Sequence, residues 1–562
     1  MRAVHLGTVV LLAGVLAACG NMHAAVEDSG KTVSGSYLSG NLAAAEGDLD
    51  SAAGFYAETL QEDPANSELL TRAFLFSATV GDTERAIALA RRIAKQQPDA
   101  RAARLVLSVS EFAKKDYAGA AVDIRQSSQG PFTSLTKSLL EAWALAGQHD
   151  FDGAMKALDT LQSQGGTQGL YALHKALLLD FAGRPEAATA YKTAMTVLAN
   201  GPRVAEAYGR YLEIHGDAAA AKAVYSKLAQ DNPGHPMLGI GLARIAAGKR
   251  PKPMVETATQ GAAESLFGIA SSLNEDRSAD VAIFYLNLSL YLRPDLDLAR
   301  VLLADHYEKR LKFDIANAIY KKIDASSPYY NMVQTQSAIN EGRLGNNDKA
   351  VVELKAMAAQ RPNDVDVWTS LGDLYRAQEK YPDAAAAYDH AVAATSATDE
   401  RRWGLLYARG VALERSKHWD EAERDLKEAL RLKPDQPQVL NYLGYSWVDQ
   451  GRNLKEAVGM LEKARGLRPL DGYIVDSVGW AYYRLGRYKE ATNALEEAVL
   501  LTPADPTIND HLGDAYWKVG RKNEARFQWN HALGLEPQAD QKSAIEKKLL
   551  RGLDAATAGG AT

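Results

Sequence analysis

The sequence predicts an all-α fold, a superhelical solenoid of about fourteen helix-turn-helix repeats. Three observations lead there. Gly479, Ala491, Ala498 and Pro503 recur as Gly513, Ala525, Ala532 and Pro537, each 34 residues later. Seven prolines (Pro294, Pro328, Pro362, Pro434, Pro469, Pro503 and Pro537) follow that period and close successive units, as suits a residue that cannot continue a helix. Hydrophobic residues make up 46% of the 562 and charged residues 24%, enough apolar material for one long core and too much for a disordered or collagen-like chain. Lys+Arg 64 against Asp+Glu 70 leaves a net charge of −6, so no basic surface points to nucleic acid. A single cysteine excludes an internal disulfide framework and any Cys-x-x-Cys site.

That cysteine follows the first element, an apolar run from Leu6 to Ala18 behind Arg2 and His5. The run is shorter than the roughly 20 residues a bilayer-spanning helix needs, and residues 1–18 read as a signal peptide. Leu16-Ala17-Ala18-Cys19 resembles the lipobox of bacterial lipoproteins, which implies that Cys19 becomes the lipidated first residue of the mature chain. Gly20 stands where an inner-membrane retention signal would have Asp, so the resemblance implies the periplasmic face of the outer membrane. Residues 19–32 then form a flexible tether.

The repeats follow. Their period resembles that of the tetratricopeptide repeat, whose two helices carry large residues at positions 4, 7, 11 and 24, small ones at 8, 20 and 27, and proline at 32. The small residues let the two helices approach and the large ones fill the space between neighbouring pairs. Residues 33–235 form a degenerate array with units from about 33, 67, 101, 135, 168 and 202. Residues 263–539 form a stronger one, with units from about 263, 297, 331, 365, 403, 437, 472 and 506. The unit from 365 shows Trp368, Leu371, Gly372, Tyr375, Ala384, Tyr388 and Ala391 in place. Between the arrays, residues 236–262 hold one helical stretch and then Gly248-Lys249-Arg250-Pro251-Lys252-Pro253, an irregular connection taken as the domain boundary. In 540–562, Ile545, Leu549, Leu550 and Leu553 have helical spacing and would cap the last unit before a small-residue tail.

No motif assigns catalysis. A Gly-x-x-x-x-Gly-Lys loop, His-Glu-x-x-His and Gly-x-Ser-x-Gly are all missing from the sequence, and no cofactor or metal is expected. His306, His511 and His531 read as satisfied helix histidines and Glu496-Glu497 as a solvated surface. Binding is the better expectation, because the first helices of such repeats line a concave wall. By the family's columns, positions 2, 5, 9, 12 and 13 of the last repeats place Tyr407, Asn441, Tyr445, Tyr473, Asp476, Trp480, Tyr483, Arg484, Asp510, Asp514 and Trp517 on that wall, aromatic anchors beside polar orienters. Trp447, Tyr482 and Tyr516, at position 11, read as core. The acids at positions 5 and 9 argue against a clamp for a carboxyl terminus, since they would repel it.

Lipobox and repeats together resemble proteobacterial outer-membrane tetratricopeptide lipoproteins. Ala263-Glu264-Ser265-Leu266-Phe267-Gly268, Tyr291-Leu292-Arg293-Pro294, Leu440-Asn441-Tyr442-Leu443-Gly444-Tyr445 and Asp476-Ser477-Val478-Gly479-Trp480 resemble the long adaptors of periplasmic carboxyl-terminal processing proteases. That resemblance implies a non-enzymatic, acyl-anchored scaffold that presents peptidoglycan hydrolases to such a protease. The alternative expectation is an assembly scaffold for outer-membrane protein insertion, pilus or polysaccharide export machinery.

Overall fold

The structure is a computed structural model that describes residues 32–553, except 129, 131–132, 163–164, 200, 232–235 and 274–277. The signal peptide, Cys19 and the tether up to Lys31 lie outside the described residues, as does the tail beyond Leu553. Among the described residues there are thirty α-helices and no strand. Twenty-eight of them fall in chain order into fourteen helix-turn-helix pairs, the others being Pro236–Ala246 and Ala539–Arg551. None is long and apolar enough to cross a membrane.

Local chemistry explains the pairs. Asn66, Asp364, Asp471 and Asp505 cap first helices by accepting from the backbone N–H groups two and three residues on. The turn into the second helix needs one left-handed residue, which is glycine at Gly486 (φ 74°) and Gly520 (φ 86°) but Leu311 (60°), Glu379 (58°) and Lys417 (66°) at the same place in other repeats. Position 8 must be small because the position 24 side chain occupies its space. A Cβ on Gly209 would lie 2.3 Å from the Tyr225 ring, on Gly372 2.5 Å from Tyr388, and on Gly513 2.5 Å from Trp529.

The chain packs as two compact units, one ending at Ala350 and the other beginning at Val351, within the helix Asn347–Gln360. The expected boundary at 236–262 is therefore corrected: that segment lies inside the first unit. Pro236–Ala246 continues the first array by packing on Ala218–Asp231, and the irregular stretch is confined to about ten residues after it. The next helix begins at Ala258, ahead of the expected 263, because Thr257 caps it by accepting from Gln260 N.

What unites the first unit is the return of the chain. Helix Ala258–Ser271 packs along Arg101–Ala113, Thr133–Gly147 and Gln168–Phe181, and Ala279–Leu292 packs along Ser67–Thr79 and Arg101–Ala113. These partners are all first helices of the early repeats. The chain's own hairpin thus covers the face on which an array would receive a ligand. The fit is close: Gly261 sits so near the buried Trp143 ring that a Cβ would be 2.1 Å from it. Thr259 Oγ1 donates to Phe112 O at 2.9 Å, and Asn287 Nδ2 donates to Thr79 O at 2.6 Å. Buried Glu264 accepts from Arg203 and, at 2.8 Å, from Arg293. Ala262, Ala263, Leu266 and Ile269 are fully buried in this seam.

In the second unit, successive pairs from Val365 onward stack and the helix Ala539–Arg551 closes the last one. Ile545 and Leu553 fill that end, and Leu549 is half-buried, whereas Leu550 faces outward. Trp447 and Tyr516 are buried as expected. Tyr482 is only half-buried, because its hydroxyl reaches outward to Glu462 at 2.6 Å.

Candidate protein-binding groove

The expected wall residues sort by depth. Asn441, Asp476, Asp510 and Asp514 are buried. Tyr407, Tyr445, Tyr473, Trp480, Tyr483 and Trp517 are half-buried, and Arg484 is exposed. The four buried polar groups cannot meet a partner directly, which corrects the expectation for them. Position 5 on one helix faces the next pair, so its side chain is enclosed by the stacking itself.

Three of the expected residues come together around Trp480. Its ring stacks on Tyr483, with centroids 4.7 Å apart and planes 6° from parallel, and on His511 of the next repeat, at 4.0 Å and 12°. His511 Nδ1 donates to Asp476 Oδ1 at 2.9 Å. Burial opposes the imidazolium, but the carboxylates of Asp476, Asp510 and Asp514 outweigh it and the His511 pKa is raised. Arg484 flanks the cluster, its Nη1 donating to Asp449 O of the preceding repeat at 3.2 Å. The Trp480 Nε1 group is buried without a hydrogen-bond partner.

The remaining acids face the end of the array. Lys548, on Ala539–Arg551, donates to Asp510 and to Asp514 at 2.8 Å each, and Trp529 Nε1 donates to Asp514 at 3.0 Å. Burial, with the neighbouring Asp510 charge acting against Lys548, raises the Asp514 pKa to about 6. Trp517 lies under the same cap, 5.4 Å from Trp529 and against Gly552, where a Cβ would be 2.6 Å from its ring. Sequence reasoning missed Lys548, although it stands 34 residues after Asp514, in register.

Upstream, Tyr407 lies edge-on to Tyr442, with centroids 5.9 Å apart, and Tyr442 donates to Glu414 at 2.8 Å. Tyr407, Tyr445 and Trp480 all pack against one hydrophobic cluster that includes Leu443 and Val478. Tyr473 packs on a separate one with Val475 and Ile508. His531 Nδ1 lies 3.1 Å from Asn509 Oδ1, and Glu496 and Glu497 pair with Arg521 and Arg465, so neither acid is merely solvated. What this surface offers is rigid rings on a buried polar frame: Tyr445 and Tyr483 stand half in water, and Trp480, covered on its two faces by Tyr483 and His511, offers its edge. Such rings pack on apolar, proline or aromatic side chains of a partner.

Four stretches of the chain, residues 43–109, 336–398, 403–436 and 479–520, match family models described as tetratricopeptide or TPR repeats. The repeats in these stretches are tetratricopeptide repeats. A stretch of 83 residues is 37% identical to the TPR repeat-containing protein PA4667 of Pseudomonas aeruginosa, a match that spans 15% of this chain and 14% of that protein. Among solved structures, a tetratricopeptide repeat protein from Parabacteroides merdae aligns over 45% of this chain and 98% of its own, at 13% identity and a TM-score of 0.37. The APC/C hetero-tetramer Cut9-Hcn1 aligns over 93% of this chain and 96% of its own, at 16% identity and a TM-score of 0.38. Tetratricopeptide arrays are protein–protein interaction scaffolds, and the second unit carries half-buried rings of the kind such a role uses.

Proposed function

We propose that the chain is a non-enzymatic scaffold, anchored by acyl chains on Cys19 at the periplasmic face of the outer membrane, that gathers a carboxyl-terminal processing protease and its peptidoglycan hydrolase substrates. The observation that carries the binding part is the pair of stacked rings Trp480 and Tyr483, half-exposed on the second unit, while the corresponding face of the first array is covered by Ala258–Leu292. Docking therefore concentrates on the last four repeats. The anchor and the protease rest on the lipobox-like Leu16-Ala17-Ala18-Cys19 and on the adaptor-like segments around 263–294 and 440–480. Holding two partners on one tethered body raises their effective concentration without new chemistry.

The test is co-purification from an envelope fraction of the producing bacterium, with the parent chain and with Trp480→Ala/Tyr483→Ala. Protease and hydrolase recovered with the parent and lost from the variant is the expected result. Equal recovery from both removes the rings from the proposal, and recovery of export or insertion subunits in place of a protease removes the adaptor role. Radiolabelled palmitate entering the parent but not Cys19→Ser checks the anchor.

A further inference from the structure

The close interdigitation of the returning hairpin with the first array gives way beside the second and third repeats. Between Ser67–Thr79 and Arg101–Ala113 on one side and Ala279–Leu292 on the other lies a cavity of about 880 Å³, partly open to solvent. Protein interiors pack densely and hold few voids larger than a water molecule. A space of this size in a seam where a methyl group on Gly261 would already collide is a shaped feature. Its walls are mainly hydrocarbon and aromatic: Phe74 and Leu75 from the second repeat, Leu105 from the third, and Val281 and Phe284 from the returning helix. At the floor, the Thr136 hydroxyl and the Tyr285 hydroxyl lie 2.8 Å apart and satisfy each other, so they leave no polar demand on an occupant. The charged groups that line it, Asp99, Arg101 and Asp280, are exposed, and Asp280 is held by Arg310 at 2.5 Å.

We infer that this cavity binds a long aliphatic chain, with hydrocarbon against the Phe74, Leu105 and Phe284 wall and the polar head at the rim beside Asp99 and Arg101. Volume, apolar lining and a polar mouth are what such a ligand requires, and the cavity falls in the size range of small-ligand pockets. The walls make the choice of class: most of the lining is hydrocarbon and aromatic, and among its hydroxyls Thr71 and Thr79 donate to carbonyls of their own helix, so burying an ionic or sugar-like ligand there would leave much of its polar surface unpaired. Val281 and Leu75 are each about two-fifths exposed, 39% and 42%, so the two sides of the entrance are apolar while facing water. Binding a chain would cover both.

The probe is 11-(dansylamino)undecanoic acid, titrated into the full chain carrying Cys19→Ser, with palmitate as unlabelled competitor. Saturable binding of one probe per chain, with blue-shifted emission reversed by palmitate, is expected. Val281→Trp and, from the opposite wall, Leu75→Trp should each weaken it tenfold or more with an unchanged circular-dichroism spectrum, while Leu500→Trp on the second unit should leave it unaltered. The acylated parent distinguishes two sources of the chain: blocked binding there assigns the cavity to the protein's own acyl group, and retained binding assigns it to a separate lipid. No saturable binding, or binding indifferent to both entrance variants, overturns the inference.

Discussion

The indole of Trp480 and the imidazole of His511 lie face to face, 4.0 Å apart, although they belong to successive repeats. Asp476, four residues before Trp480, accepts from His511 Nδ1 at 2.9 Å. One repeat thus grips the next through a stack and a charge-assisted hydrogen bond at once, and the same ring presents its edge to the groove.

Removing that ring should loosen the joint. Trp480→Ala is expected to destabilise the second unit by about 2–3 kcal/mol, below the figure for a wholly buried tryptophan because Trp480 is half-exposed. Trp480→Phe, which keeps a stackable face, should cost about 1 kcal/mol. Urea unfolding followed by circular dichroism measures both.

The pH dependence has a definite sign. The folded-state pKa of His511 is raised, so its contribution is fully present below its unfolded value of about 6.5 and is lost as pH rises through the folded value. The raised Asp514 acts in the same direction lower down, since the folded state holds its proton up to about pH 6 and stability falls as pH rises from about 4 to that point. Urea midpoints measured between pH 4 and 8 should therefore decline less steeply above pH 6.5 in His511→Gln and less steeply below pH 6 in Asp514→Asn.

Lys548 bridges two buried carboxylates. Lys548→Met should cost about 3–5 kcal/mol, because it strands Asp510 and Asp514 against each other. Adding Asp510→Asn and Asp514→Asn should restore much of the loss. A triple variant no more stable than the single one would show that packing of the lysine stem, not charge, holds the cap.

Gly261 tests the covered face of the first array. Gly261→Ala pushes a methyl group into the buried Trp143 ring and should cost about 1–3 kcal/mol, with faster proteolysis of the Ala258–Leu292 hairpin as the readout.

Leu311, exposed and in a left-handed conformation, should improve on replacement. Leu311→Gly is expected to raise stability by about 0.5–1 kcal/mol, since relief of the strained backbone exceeds the added flexibility of the unfolded chain.

Period, register and pair number were legible because each is local. A 34-residue recurrence of small residues and prolines needs only neighbours: Gly372 must be small because Tyr388, sixteen residues on, fills its space, and both lie in one repeat. The site was legible in part for the same reason. The columns brought Asp476, Trp480 and Tyr483 to one place, as the structure does, but treated Asn441, Asp476, Asp510 and Asp514 as open wall, when all four are buried and Lys548 holds the last two.

Tertiary structure alone decided how the first unit closes. Gly261 meets Trp143 and Asn287 meets Thr79 across more than a hundred residues, and nothing in Gly, Ala or Leu marks a side chain that will pack on a distant repeat rather than the adjacent one. The interior of a repeat has the same composition wherever its neighbour comes from. Repeat patterning therefore specifies the helices and their turns, while whether the chain covers an apolar face of its own array follows from its path within the unit.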